Sequence, residues 1–417
     1  MNKRILIISN DALADANSNG RTMKNLLLDI PREYLSQFYI HGTPDPDVCA
    51  CYYSVSDSDA LRAFLHKKKP QPIRPSSVKT DLSVAARKPV RNYQNLFLRN
   101  MVWQSMQWWD KDFDAFLEAF CPEVVLLQAG DAPFMYKIAR WVAKKYRAKL
   151  MMFNTENYVL KKRMYAVRYD DNMFFHNLLM SSLRRQYRKF MKQVDFCTYS
   201  TDYLEQIHQA RYPHPGKSAV FYTGTQMQDC SKIAGEEGGF SLVYCGNLGV
   251  GRAQVLFEIA QVLKMVNPKA KLVIYGKFRD DDDEQMVCSL DNVDFRGFVA
   301  YDEIPQALAQ ASLVIHCENT TRLENLKTAF STKIADSLAC GKPFLVYATR
   351  EYPFVQYLER NQAAHIAADE QELETVLRNC MADKAYAEQF IPNAKKLAAE
   401  NHNTVTNSKR LKEIICN

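Results

Sequence analysis

The chain has 417 residues, 47% of them apolar and 24% charged, with a formal net charge of +7. That length suits about two domains of roughly 100–200 residues each, with enough apolar material for large cores. The modest positive balance fits anionic partners such as nucleotides or an acidic membrane face. The 11 cysteines are scattered without a C-x-x-C pair, which argues against a zinc site and for free thiols in a reducing cytoplasm.

In chain order, Ile5–Ile8 reads as a first strand. The run is too short for a signal-peptide core, and no stretch of about 18 apolar residues exists to span a membrane. A polar loop from Asn10 to Asn19 leads through Gly20-Arg21-Thr22 into a helix reaching Leu26–Leu28. This is strand, loop, glycine and helix, with Asn19, Gly20 and Arg21 at the turn. Residues 66 to 92 then crowd eight cations with Pro70, Pro72, Pro75 and Pro89 against the single acid Asp81, a composition that cannot bury a core. An aromatic helix follows, with Trp103, Trp108 and Trp109 near its end. It is either buried or lies in a lipid interface. The segment 66–110 is thus a candidate for docking on an anionic membrane surface.

Strands are predicted at Glu123–Leu127, Lys149–Phe153 and Phe196–Ser200, with helices at Pro133–Lys145 and Asp171–Lys192. Glu156, just after a strand, is a candidate catalytic residue; a simple loop carboxylate is the competing reading. The stretch from Tyr212 to Gly239 has little periodicity and carries the domain junction. Beyond it, strands at Leu242–Cys245, Leu272–Tyr275, Val293–Phe295, Leu313–His316 and Phe344–Tyr347 alternate with short helices. Alternation at this spacing predicts parallel sheets with helices on both faces. The fold class is therefore α/β, with two Rossmann-like, doubly wound domains facing a cleft. The predicted domains are 1–215, 216–385 and C-terminal helices over 386–417 that pack back on the first domain.

Two segments of the second half carry chemistry. Phe240–Cys245 is a strand, followed by Gly246, Gly249 and Gly251, Arg252, and then Leu256, Ile259, Ala260 and Leu263 at helical spacing. A glycine turn before a helix start makes an anion site, because free N–H groups and the helix dipole face the ligand and missing Cβ atoms let it approach. Arg252 adds forked donors suited to phosphate oxygens. The spacing G-x-x-G-x-G-R departs from the dinucleotide fingerprint. In the second segment, Phe330 to Pro343, Ser331 or Thr332 caps a helix that Gly341 and Pro343 end. Lys333 then sits in the first turn against the helix dipole, at a cost of about 0.3–1 kcal/mol that a bound anion reverses. Asp336 lies on the same face, as a structural ion-pair partner of Lys333 or an acceptor for ribose hydroxyls.

Taken in order, Asn19-Gly20-Arg21-Thr22, Asn247-Leu-Gly-Val-Gly-Arg252, the Leu272–Gly276 strand, Phe295-Arg-Gly-Phe298 and above all Ser331 to Pro343 resemble the family 4-type glycosyltransferases of GT-B architecture. Bacterial capsule and exopolysaccharide enzymes are the nearest in appearance. The resemblance implies a retaining, metal-independent transfer of a sugar from a nucleotide sugar, such as a UDP-sugar, to a glycan or lipid-linked acceptor in cell-surface polysaccharide synthesis. It implies no cofactor, no nucleic acid partner, and a cytoplasmic place that includes the inner membrane face. It further implies that Gly249, Gly251, Arg252 and Lys333 meet the diphosphate, Asp336 the ribose, and Gly297, Phe298 and Val299 the base. The family's two glutamates, separated by seven residues, fall here on Thr328 and Asp336, with Glu324 four residues before the first. Glu324, Glu156 and His316 are the catalytic candidates; His316 and Glu318 end a strand of the second half, where cleft residues are expected, although a core histidine at a strand end is common. A GT-B-like partner subunit without turnover and a dinucleotide-dependent oxidoreductase are the alternatives.

Overall fold

The computed structural model describes residues 2–14, 18–66, 92–161, 172–233, 239–249, 251–319 and 326–416. The chain divides into two compact units, Met1–Tyr222 with Val405–Asn417, and Thr223–Thr404. The first boundary thus falls at Tyr222/Thr223 rather than at 215/216, and the second unit runs to Thr404 rather than 385.

The first unit runs β1 (Ile5–Ile8), α1 (Ser18–Leu26), β2 (Leu35–Tyr39), β3 (Cys51–Ser54), α2 (Asp57–Phe64), α3 (Tyr93–Gln104), α4 (Lys111–Phe120), β4 (Val124–Gln128), α5 (Pro133–Tyr146), β5 (Lys149–Asn154), α6 (Met173–Met191), β6 (Phe196–Tyr199), α7 (Asp202–Arg211) and β7 (Lys217–Val220). Its seven strands stand in the order β3-β2-β1-β4-β5-β6-β7, every neighbouring pair parallel. Alternate residues of each strand feed two cores. Leu6, Ile8, Val125 and Leu127 face the helices α3 to α6, while Ile5, Ile7, Val124 and Leu126 face α1. This two-sided burial is why the strands read as continuous apolar runs.

The second unit runs β8 (Ser241–Asn247), α8 (Arg252–Val266), β9 (Lys271–Lys277), α9 (Asp281–Cys288), β10 (Val293–Gly297), α10 (Ile304–Ala309), β11 (Leu313–Cys317), α11 (Thr332–Ala339), β12 (Phe344–Tyr347), α12 (Pro353–Arg360), β13 (His365–Ala367), α13 (Glu370–Ala382), α14 (Lys384–Glu388) and α15 (Ile391–Asn401). Its six strands, again all parallel, stand in the order β10-β9-β8-β11-β12-β13. The acidic run after Arg279 begins α9: Asp280 caps it by accepting from the Asp283 amide at 3.0 Å, and the carboxylates that follow meet the positive end of the helix dipole. The last helix, α16 (Thr404–Cys416), returns to the first unit. Leu411 and Ile415 enter the core that holds Leu27 and Phe221, and Ser408 Oγ accepts from the Asp29 amide at 2.6 Å.

Two expectations for the first unit change. Asn19, Gly20 and Arg21 do not form a loop; α1 already begins at Ser18 and includes them in its first turn. The tryptophans of the 66–110 segment are not available to a lipid interface. Trp103 and Trp108 are buried, Trp103 stacks on Phe134 at 4.8 Å between centroids, and Trp109 packs partly buried against the same core. The basic stretch 67–91 lies outside the described residues.

Candidate donor site

In both sheets the order reverses beside the first strand, so crossovers leave in opposite directions and a crevice opens at the strands' carboxyl ends. In the second unit this point lies between β8 and β11. The residues that end those strands and begin the following helices meet there.

β8 ends in Cys245, Gly246 and Asn247. A Cβ at Gly246 would overlap the Lys333 side chain, so glycine is what lets the lysine lie across the strand end. A Cβ on Gly276, opposite on β9, would in turn strike the Gly246 carbonyl. The Gly249 amide donates to Asn247 Oδ1 at 2.7 Å, folding the turn. Gly251, at φ +78, is the N-cap of α8; the left-handed conformation favours glycine there. Arg252 is therefore the first residue of the helix. Lys333 reaches the same place from α11, whose N-cap is Ser331; its hydroxyl accepts from the Lys333 amide. Lys333 Nζ lies 5.8 Å from the centre of the Tyr244 ring.

The structure thus brings together Gly249, Gly251, Arg252 and Lys333, whose cations come from two helix starts. It adds a residue that the sequence placed at a strand end without a role. Glu318, one residue beyond β11, accepts from Arg252 Nη2 at 2.5 Å, and both side chains are almost wholly buried. His316 Nε2 lies 3.4 Å from the same carboxylate oxygen. Burial would raise the Glu318 carboxyl, but His316 and Arg252 outweigh it and hold the group down at about 2. Burial and the neighbouring Arg252 charge lower Lys333 to about 8. Burial also lowers His316, while the Glu318 carboxylate favours its charged form. The site carries two cations, one acid and a histidine, an excess of positive charge fit for an anion.

The remaining candidates are placed as follows. Asp336 Oδ1 accepts from Thr225 Oγ1 at 2.5 Å and from Tyr301 OH at 3.0 Å, so its bonds run to these hydroxyls. Gly297 ends β10 at φ +74 with open space where a Cβ would stand, and the Phe298 ring beside it is 79% exposed. Val299 is half-buried. Thr328 is buried in a short 3-10 turn, Leu326–Thr328. Glu324 lies outside the described residues. Glu156 belongs to the first unit, after β5, where Lys161 Nζ approaches its carboxylate at 3.3 Å; burial raises the Glu156 carboxyl and Lys161 opposes that rise.

Residues 254–415 match the family model described as glycosyl transferase-like. No curated protein matches the chain. Among solved structures, HepE of Anabaena in complex with UDP superposes with a TM-score of 0.65 at 12% identity, covering 99% of both chains. Sucrose-phosphate synthase of Thermosynechococcus elongatus gives 0.62 at 11% identity over 99% of this chain and 98% of that one. A putative UDP-N-acetylglucosamine 2-epimerase of Listeria monocytogenes gives 0.53 at 13% identity over 98% and 95%. At these identities the likeness establishes the fold, the two-domain GT-B architecture. The epimerase shows that this architecture is not confined to one reaction.

Proposed function

We propose that the protein is a glycosyltransferase that takes its sugar from a nucleoside diphosphate sugar, with a UDP-sugar as the first choice. The observation that carries this reading is the convergence of Arg252 and Lys333 on the carboxyl end of β8, one cation from each of two helix starts. Departure of a nucleoside diphosphate places negative charge where these groups and the α8 amides stand, and preorganised donors there stabilise the transition state. The glycosyl transferase-like match over 254–415 and the UDP in the HepE complex support the same ligand class.

The finer parts of the reading follow from it. Transfer proceeds with retention and without a bound metal, since the cation pair can take the metal's place at the leaving diphosphate. The base lies against Gly297–Val299, with the exposed Phe298 ring as its stacking surface. The acceptor is a glycan or lipid-linked saccharide of a cell-surface polysaccharide, met at the cytoplasmic membrane face. For that last part the support is the outer face of α6. Phe174, 67% exposed, and Leu178 open it, and Arg185, Arg188 and Lys192 continue the same helical face. Apolar and cationic residues on one face suit an anionic bilayer surface.

The test is binding of UDP and UDP-sugars to the wild-type protein and to R252A and K333A, followed by turnover with and without chelator. Each substitution should cost on the order of 1.5–3 kcal/mol of UDP affinity, the worth of a hydrogen bond to a charged group. UDP affinity unchanged in a folded K333A protein sinks the assignment. Activity lost on chelation and restored by manganese or magnesium overturns the metal-free mechanism alone.

A further inference from the structure

Glu318 is an unusual residue to find in an anion site. Its carboxylate is almost wholly buried, yet only Oε1 is used, by Arg252 Nη2 at 2.5 Å; Oε2 has no hydrogen-bond partner among the described residues. Arg252 Nε is likewise buried and without a partner, and Nη1 makes only long contacts, 3.4 Å to the Asn247 carbonyl and 3.5 Å to that of Gly249. The pair is therefore not the two-bond fork that arginine and a carboxylate form when each satisfies the other. As a stability device it is poor, because a well-packed apolar residue in place of a buried ion pair is often neutral or better. What the arrangement does achieve is electrostatic. One donor of Arg252 is tied down, others remain free, and a fixed negative charge stands where an incoming phosphate must share the guanidinium.

We infer that Glu318 is a positioning residue that holds Arg252 ready in the empty site and, by its charge, limits how tightly a nucleoside diphosphate is held, so that the nucleotide product can leave. The inference rests on the proposed nucleotide-sugar reading. It requires no exchange of partners: Arg252 receives phosphate through Nη1 and the second hydrogen of Nη2 while Glu318 keeps the first. The penalty is repulsion between two anions on one guanidinium, in a site where burial leaves little water to screen them. Lys333 responds to the same charge, because the Glu318 carboxylate favours its protonated form against the effect of Arg252.

The experiment uses the full chain with UDP as the probe. E318Q keeps an amide oxygen to accept from Arg252 and removes the charge. At pH 7 its UDP dissociation constant should fall at least tenfold below that of the wild type. The pH above which UDP affinity declines should also move down, because Lys333 loses the neighbour that favours its charge; a purely structural contact would not move that limb. In turnover, KM and kcat should fall together as product release slows. E318M, of similar volume and without charge, should tighten UDP as well and serves if E318Q does not fold. UDP binding in a folded E318Q that is unchanged, or weakened toward that of R252A, overturns the inference and makes Glu318 a strut for the arginine. Failure of both variants to fold also overturns it. A wild-type protein that binds no nucleoside diphosphate defeats the underlying reading, whereas wild-type binding without tightening in the variants defeats only the role of Glu318.

Discussion

The two sheets share one strand order around their first strand, β3-β2-β1-β4-β5-β6 in the first unit and β10-β9-β8-β11-β12-β13 in the second, yet their switch points carry different chemistry. In the first unit, β1 and β4 end in Ser9, Asn10 and Asp11 and in Gly130 and Asp131. The polar work there is neutral: Gln37 Nε2 donates to Ser9 Oγ at 2.8 Å, and Tyr136 OH donates to the Gly130 carbonyl at 2.8 Å. In the second unit the equivalent strand ends hold Arg252 and Lys333 around Glu318. Identical topology thus builds one crevice with neutral and acidic ends and one with a cationic centre. The proposed anion site falls in the second because of its side chains and not because of the fold.

The largest effect that can break this comparison is expected from Gly246. In G246A the new methyl occupies the space of the Lys333 side chain, so the ammonium must leave the strand end and UDP affinity should fall by roughly 10–150-fold, the loss of a charge-assisted bond. A glycine change at the first unit's switch point, G130A, places its Cβ 3.1 Å from the Asn10 side-chain amide and should leave UDP affinity unchanged. Equal losses in the two variants, measured by calorimetry, would show that the nucleotide does not discriminate between the crevices.

A second, pH-dependent effect sharpens the comparison. Folding lowers Lys333 from 10.5 to about 8. The lysine is charged in both folded and unfolded states below pH 8, so its burial penalty is fully present there and is relieved as pH rises from about 8 toward 10.5. Ligand binding has the opposite preference, because a diphosphate favours the charged amine. UDP affinity should therefore decline by up to tenfold per pH unit above pH 8, with proton uptake on binding. K333A should abolish both signals, and a slope that survives in K333A assigns the titration to another group.

The smallest effect concerns the first unit alone. Replacing any one of Arg185, Arg188 and Lys192 with Gln should weaken binding to phosphatidylserine vesicles by about 1 kcal/mol. Added salt should do the same to the wild type. If the wild type ignores such vesicles at low salt, the outer face of α6 has no membrane role.

Much of this was legible in the sequence because the signals are local. Ser331 and Gly341 bracket α11 closely enough to put Lys333 in its first turn, and apolar runs such as Val124–Leu127 announce strands buried on both faces. What was hidden is non-local. Glu318 meets Arg252 across 66 residues of sequence, through the adjacency of β8 and β11, which no spacing reveals. β2 escaped because Ser36 and Gln37 interrupt its apolar pattern; both are buried, and they are satisfied by Cys51 O and by Ser9 and Asp11. β7 is a half-exposed edge strand and β13 has only three residues, so neither carries a periodic signal. The tryptophans were ambiguous for a related reason. Aromatic rings on every side of a helix suit either a membrane interface or a dense core, and Phe38, Phe113 and Phe134 supply the core.

The return of α16 to the first unit bears on how the molecule is made. Synthesis proceeds from the amino terminus, and domains generally fold as units while the chain emerges. The second unit is continuous, Thr223 to Thr404, and can close as soon as its own residues have emerged. The first is begun earlier but completed later. The groove over Leu27 and Phe221 that Leu411 and Ile415 fill, and the Lys412 Nζ bond to Asp29 Oδ2 at 2.9 Å, wait for the final helix. The nascent first unit therefore spends the translation of the entire second unit with an uncovered apolar strip, the interval in which chaperone capture or misassociation has its opening.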